Sequence, residues 1–434
     1  MKRILSLLGL LLAIPAQAAL ISELPNTGAS NSLLFEVHDT NRGTSASGHL
    51  TITDLAGYIS TQGVWNLTLP PWNVSKANAS DQTEAIQAAL NAASNIYGKP
   101  VCYLPAAKYQ IAGTLVLGFG AKLLGDSTPQ SSRGTELTKT GTGPCIDVVS
   151  GGSVVIKGLF LNGGGASNDR TGIRIVRSAG NEANYWKLED VRISEFNRGI
   201  DLYWTWDAEI ISCYVNECGS GLVASNDVNT LTILGGGWNS NSNHLHHIGS
   251  PSTATVTSGW RVMSTFEGGG TAVVATNQYF VGNLFTGCYF EGLTNYAFKV
   301  KNAKKLTIDG CLFDNPGITN IYLETAYTPT VRDCIFLGGT QIPLYTDSAT
   351  AGFVYDGNRH DYSAQQPLIS STSYTRNDGG SLVLNGQSIS TGSGSPESVV
   401  TAPVGSIYLR SDGSTSTTLY VKTSGTGNTG WTAK

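Results

Sequence analysis

A repeat near 23 residues limits what this chain can fold into more than any other feature. NLFTGCYFEG (283–292), LTIDGCLFDN (306–315) and PTVRDCIFLG (329–338) align without gaps. Cys288, Cys311 and Cys334 fall 23 residues apart, and so do Phe290, Phe313 and Phe336. WRVMSTFEGG (260–269) joins with a step of 24; LTILGGGWNS (231–240), EIISCYVNEC (209–218) and VRISEFNRG (191–199) join with irregular steps. Each unit holds short strands ended by Gly, Asn or Asp and no helical period. Such a unit cannot bury its apolar face alone, so neighbouring units must stack and share one core. The expected fold is all-β: a parallel β-helix with one coil per repeat.

Alternation along a strand assigns directions. In CYFE, Cys288 and Phe290 point inward while Tyr289 and Glu291 point outward. The same phase puts Cys311, Phe313, Cys334 and Phe336 inside, and Cys213 falls on the same column. The seven cysteines contain no C-x-x-C pair. Their coil spacing makes them packing residues, not disulfide or metal ligands.

Charged residues are 13% of the chain, hydrophobics 40%, and glycines number 52. Few charges and many turn formers suit an all-β chain. The net charge of −4 gives no global attraction for nucleic acid or an anionic membrane. A partner is then read by shape and hydrogen bonds. Lys2 and Arg3, an apolar run from Ile4 to Ile14, and Ala16-Gln17-Ala18 form a secretory leader pattern cut before Ala19. That run is too short to span a bilayer, and no later stretch is expected to cross one. A retained apolar helix is the other reading of the same residues.

The chain divides into a leader (1–18), a small β module (19–76), a capping helix with the coil stack (77–360) and a C-terminal β module (361–434). DQTEAIQAALNAAS (81–94) is the one clear helix. Asp81 stands where it caps the first free amides, and Glu84 holds the capping-box position. Ala85, Ile86, Ala89 and Leu90 form its apolar stripe.

NASDQTEAIQAAL (78–90), VCYLPAAKYQI (101–111) and LLGDS (123–127) together resemble the start of the pectate-lyase-like right-handed β-helix superfamily. Ala107 and Ser127 stand where that pattern has glycine. The resemblance covers about residues 70–360. TAPVGSIYLRSDGSTSTTLYVKTSGTGNTGW (401–431) resembles a C-terminal module recurrent on bacteriophage tailspikes and tail fibres, and 21–59 looks like their short N-terminal modules. The resemblance implies a homotrimer on a virion, assembled with tail proteins, that recognises a host glycan. The leader points instead to an exported protein of bacterial origin.

The outward position after the inward aromatic traces a column: Asn197, Asn216, Asn239, Glu267, Glu291, Asp314, Leu337. Adjacent coils lie roughly 4.8 Å apart. Carboxylates that close repel, and one of such a pair holds its proton more readily than the other. Glycosidases need that acid and base, about 5–5.5 Å apart when retaining and about 6.5–9.5 Å apart when inverting. Glu291, with Glu267 or Asp314, is therefore the candidate catalytic set. Solvated surface carboxylates are the plain alternative.

IDLYWTWDAE (200–209) is a second constellation. Tyr203, Trp204 and Trp206, with Asp201 and Asp207, are candidates for sugar contact, together with Asn239 and Tyr289. At least two of the three aromatics in this segment must face outward if the strand alternates. Asp201 and Asp207 are reserve catalytic candidates. The segment 240–259 reads as a loop overhanging the groove, and its His244, His246 and His247 invite a metal reading that no neighbouring carboxylate supports. No aspartate cluster with an arginine beside it suggests calcium-dependent lyase chemistry. No cofactor is expected. The leading function is a depolymerase of bacterial surface polysaccharide; a non-cutting glycan adhesin and an exported hydrolase or lyase are the alternatives.

Overall fold

The computed structural model describes residues 63–434, apart from residue 97 and the stretches 128–133, 150–151, 166–168, 178–182, 249–255, 277–278, 315–316, 339–341, 361–367, 370–373 and 378–380. It also describes two short antiparallel strands, Phe35–Val37 and Gly48–Leu50. The leader expected at 1–18 and most of the module expected at 19–76 lie outside the described residues.

The body is a stack of coils, each running through three strands. The coil at Leu284–Thr286, Tyr289–Glu291 and Tyr296–Lys301 is typical. Each of its strands pairs in parallel with its counterpart on the next coil: Thr307–Asp309, Leu312–Asp314 and Thr319–Glu324. We call the three resulting sheets first, second and third in that order. The first sheet begins at Val64–Asn66, which pairs with Val101–Leu104, and parallel pairing continues to Tyr374–Asn377. Beyond it the pairing is mostly antiparallel, with one parallel pair between Gln387–Gly392 and Ile407–Arg410, and a small second core forms from Ala402, Tyr408, Tyr420 and Trp431.

Helix α1, Thr83–Ser94, buries Ile86, Ala89, Leu90 and Ala93 against the first coils. It starts later than Asp81 would set it, with Gln82 at the N-cap. Asp81 still serves the helix start: its Oδ1 accepts the Thr83 amide (3.0 Å) and the Ala112 amide (2.9 Å). One carboxylate thus ties the helix to the coil beneath it.

The interior repeats with the sequence. Trp238, Phe266, Phe290, Phe313, Phe336 and His360 stack in one file, with centroids 6.3, 5.1, 4.9, 4.8 and 5.2 Å apart. Beside it run Cys213, Cys288, Cys311 and Cys334, and all seven cysteines are free and buried. Buried asparagines bridge the corners. Asn358 Oδ1 accepts the Cys334 amide and its Nδ2 donates to Val331 O; Asn241 and Asn283 repeat the device on other coils. A tight corner exposes backbone groups to the core, and an amide side chain satisfies a donor and an acceptor at once.

His244 and His247 are not loop residues. They lie in the strand Asn243–His247 and point into the core. His244 Nε2 meets Gly268 O at 2.9 Å and its ring packs edge-on against Phe266. His247 Nε2 meets Thr257 Oγ1 at 2.5 Å. Burial pushes both imidazoles down to about 4.

Candidate functional site

Parallel register turns a sequence period into columns of side chains, and the outer face of the second sheet carries two. The first column runs Asn162, Ser194, Asn216, Asn239, Glu267, Glu291, Asp314, Leu337. The second runs beside it: Phe160, Arg192, Tyr214, Gly237, Thr265, Tyr289, Leu312, Ile335.

The first column corrects one expectation. Asn197 is not in it; Ser194 pairs with Asn216. Asn197 falls in the exposed turn that follows Phe196. From Asn216 onward the column is as the repeat predicts. Its N-terminal half is neutral. Asn216 is buried and donates to Ser194 Oγ at 3.2 Å, while its Oδ1 meets no partner among the described residues. Asn239 donates to Glu267 Oε2 at 3.0 Å and accepts from Ser240 Oγ at 2.5 Å. Asn239 is thereby a holder of Glu267.

Glu267, Glu291 and Asp314 occupy three consecutive rungs. Neighbours sit about 4.8 Å apart and the outer two about 9.6 Å apart along the axis. Tyr289 reaches from the second column to the first, with its hydroxyl 3.5 Å from Asp314 Oδ2. Desolvation and hydrogen bonding to Glu291 push this phenol up to about 12. Further toward the N-terminal end of the column, Tyr214 lies beside Gly237, where an added Cβ would sit 2.7 Å from the ring. The missing side chain leaves the ring room to lie flat. Arg192 stacks on Phe160, 4.9 Å from the ring centre.

The aromatic segment lies elsewhere. Arg198–Ile211 is one long strand that starts in the third sheet and ends in the first. Tyr203, Trp204 and Trp206 are all half-buried. A register shift between Tyr203 and Thr205 and a left-handed Trp204 (φ 52°) re-aim the rings, so simple alternation fails there. Asp201 accepts from Arg198 at 2.9 Å, and burial raises its carboxyl. Asp207 accepts from Thr230 Oγ1 at 2.6 Å. Asp201 is three rungs from Glu267, about 14 Å along the axis, and Asp207 two rungs, about 10 Å. The structure does not bring the two constellations together.

Among the described residues no three His, Cys, Asp or Glu converge to hold a metal ion, and no helix is long and apolar enough to cross a membrane.

Residues 238–394 match the family model of the right handed beta helix region. The chain is a right-handed parallel β-helix. The A-module of mannuronan C-5 epimerase AlgE6 from Azotobacter vinelandii aligns over 71% of this chain and 97% of its own, at 14% identity and a TM-score of 0.53. ORF18 of Geobacillus virus E2 aligns over 83% and 72%, at 16% identity and 0.49. The Dettilon tailspike protein aligns over 74% and 71%, at 15% identity and 0.48. At these identities the likeness is one of fold. No curated protein matches the chain.

The sequence reading missed a third aromatic group on this β-helix. Tyr296, Tyr322 and Tyr345 line the outside of the third sheet, and the last two stack at 4.6 Å with planes 7° apart. The signal was present: Tyr322 and Tyr345 are 23 residues apart, the coil period.

Proposed function

We propose that this protein binds a bacterial surface polysaccharide (O-antigen, capsule or exopolysaccharide) along the second sheet and hydrolyses it in the manner of a tailspike. The observation that carries the reading is the unbroken register Glu267, Glu291, Asp314. Glu291 is the central group. Asp314, which receives the Tyr289 hydroxyl, is its partner. The rung spacing of about 4.8 Å fits the separation of about 5–5.5 Å used by retaining enzymes. Glu291 as acid protonates the leaving oxygen while the glycosidic C–O bond breaks. Asp314 attacks the anomeric carbon and forms a glycosyl ester. Glu291, now a base, takes a proton from the water that releases it. Pairing Glu267 with Asp314, two rungs apart, instead fits an inverting reaction with water between them.

Tyr289 and Asn239 would contact or orient the sugar at this site, with Tyr203, Trp204, Trp206, Asp201 and Asp207 holding a more distant part of the chain. No cofactor enters the reaction. The resemblance of 401–431 to tail modules favours a homotrimer on a virion tail, and the leader favours export. Light scattering separates trimer from monomer.

The test uses protein from Ala19 onward with polysaccharide from candidate hosts, following reducing ends and the ultraviolet absorbance of a new double bond. New reducing ends without absorbance support hydrolysis, and Glu291→Gln must then abolish them. Absorbance makes the protein a lyase and removes the two-carboxylate scheme. Retention of glycan with neither signal leaves an adhesin.

A further inference from the structure

The third sheet turns a corner from the carboxylate column, and one of its coils is rich in lysine. In the strand Tyr296–Lys301 and the connector after it stand Lys299, Lys301 and Lys304, all exposed. The preceding rung, Thr271–Ala275 with Tyr279–Val281, carries no charge at all. Lys301 lies 3.8 Å from Glu324, a loose contact. Lys299 and Lys304 rest on aromatic rings instead, 5.4 Å from the centre of Tyr296 and 4.1 Å from that of Tyr279. No carboxylate among the described residues forms an ion pair with either.

Register places Lys299 directly beneath Tyr322, and Tyr322 beneath Tyr345. The axial column is Lys299, Tyr322 and Tyr345; Lys301 and Lys304 extend the patch along the coil, and Glu324, in register with Lys301, accepts the Tyr322 hydroxyl at 2.8 Å. The stacked rings of Tyr322 and Tyr345 present their edges outward at the coil spacing of about 4.8 Å. Such a row packs against apolar sugar faces and hydrogen-bonds their hydroxyls. Ammonium groups seated on rings stay positioned without a carboxylate partner. A neutral sugar chain offers the ammonium groups only hydroxyl acceptors; a chain with carboxylates offers them stronger, charge-assisted hydrogen bonds.

From this geometry we infer that the patch of Tyr296, Lys299, Lys301, Lys304, Tyr322 and Tyr345 is a docking surface for an acidic polysaccharide, one bearing uronate-type carboxylates. The inference rests on the proposed glycan function and names the charge class of its substrate. It also divides labour between faces. The second sheet, with three carboxylates in a column, repels a polyanion, so an acidic glycan needs a separate cationic hold beside it.

Affinity electrophoresis of the full chain through gels containing polygalacturonate or, as the neutral control, dextran tests this. Retardation by polygalacturonate, weakening as salt approaches about 1 M where screening acts over about 3 Å, is the expected result. Lys299→Ala with Lys304→Ala should weaken it at least tenfold, and Tyr322→Ala should weaken it independently. A melting curve matching that of the parent protein shows that each variant is folded. Retardation by dextran alone overturns the docking surface for an acidic chain and leaves the proposed function standing. Retardation by neither, with no binding to any host polysaccharide, sinks both. Unchanged retardation of folded lysine variants overturns the inference by itself.

Discussion

The hydroxyl of Tyr289 lies 3.5 Å from Asp314 Oδ2, one coil up and one column across. A phenol held between two carboxylates of neighbouring rungs is more than a surface tyrosine. It gives the pair Glu291 and Asp314 a donor that distinguishes one member from the other.

Removing that donor should impair turnover more than binding. Tyr289→Phe keeps the ring, and so the packing on Thr265 and Leu312 of its column. We expect kcat to fall on the order of 10-fold to 100-fold with KM nearly constant, as for loss of an interaction made mainly in the transition state. Steady-state reducing-end assays read this directly. A raised KM with unchanged kcat would make Tyr289 a binding residue only.

The aromatic file sets stability. Phe313 has stacked neighbours on both sides, Phe290 at 4.9 Å and Phe336 at 4.8 Å. Phe313→Ala removes a fully buried ring from a core that cannot collapse along the axis, because backbone pairing fixes the rungs. The expected cost is about 3–5 kcal/mol. Phe313→Leu should cost less. Denaturant unfolding of the two variants checks the order.

What the sequence revealed follows from where its period is strict. Between 283 and 338 each coil has the same length, so Cys288, Phe290 and Glu291 predict the directions of their counterparts. Where the corner changes length, the phase slips. The repeat puts Asn197 in the column because it follows Phe196, yet Ile193 is the inward residue that packs in register with Val215. The histidines failed differently. Their segment is polar in sequence, and only the corner formed by Asn241 and Gly268 gives His244 a buried acceptor and donor. Trp204 adds a third cause: a left-handed residue breaks alternation, and no residue type there announces it.

The cysteines should behave as core residues. Burial pushes the thiols of Cys102, Cys145, Cys213 and Cys218 up to about 12, so little thiolate exists at neutral pH. Cys288, Cys311 and Cys334 are equally hidden. An aromatic disulfide reagent should titrate almost no thiol in the folded protein. All seven should react in denaturant. Rapid reaction of even one in the native state would place that cysteine at the surface.

The buried histidines make stability depend on pH in a defined direction. His244 and His247, pushed down to about 4 by burial, return to about 6.5 when the chain unfolds. Between those values the unfolded chain binds more protons than the folded one, so stability rises with pH there. The full contribution is present above about 6.5 and is lost as pH falls toward 4. Asp201, whose carboxyl is raised by burial, opposes this in the acid range. Melting temperatures measured from neutral pH down to about 4.5 should therefore drop steeply below about 6.5. A flat profile across that window would mean that the two imidazoles are reached by water, and that the corner at Asn241 opens in solution.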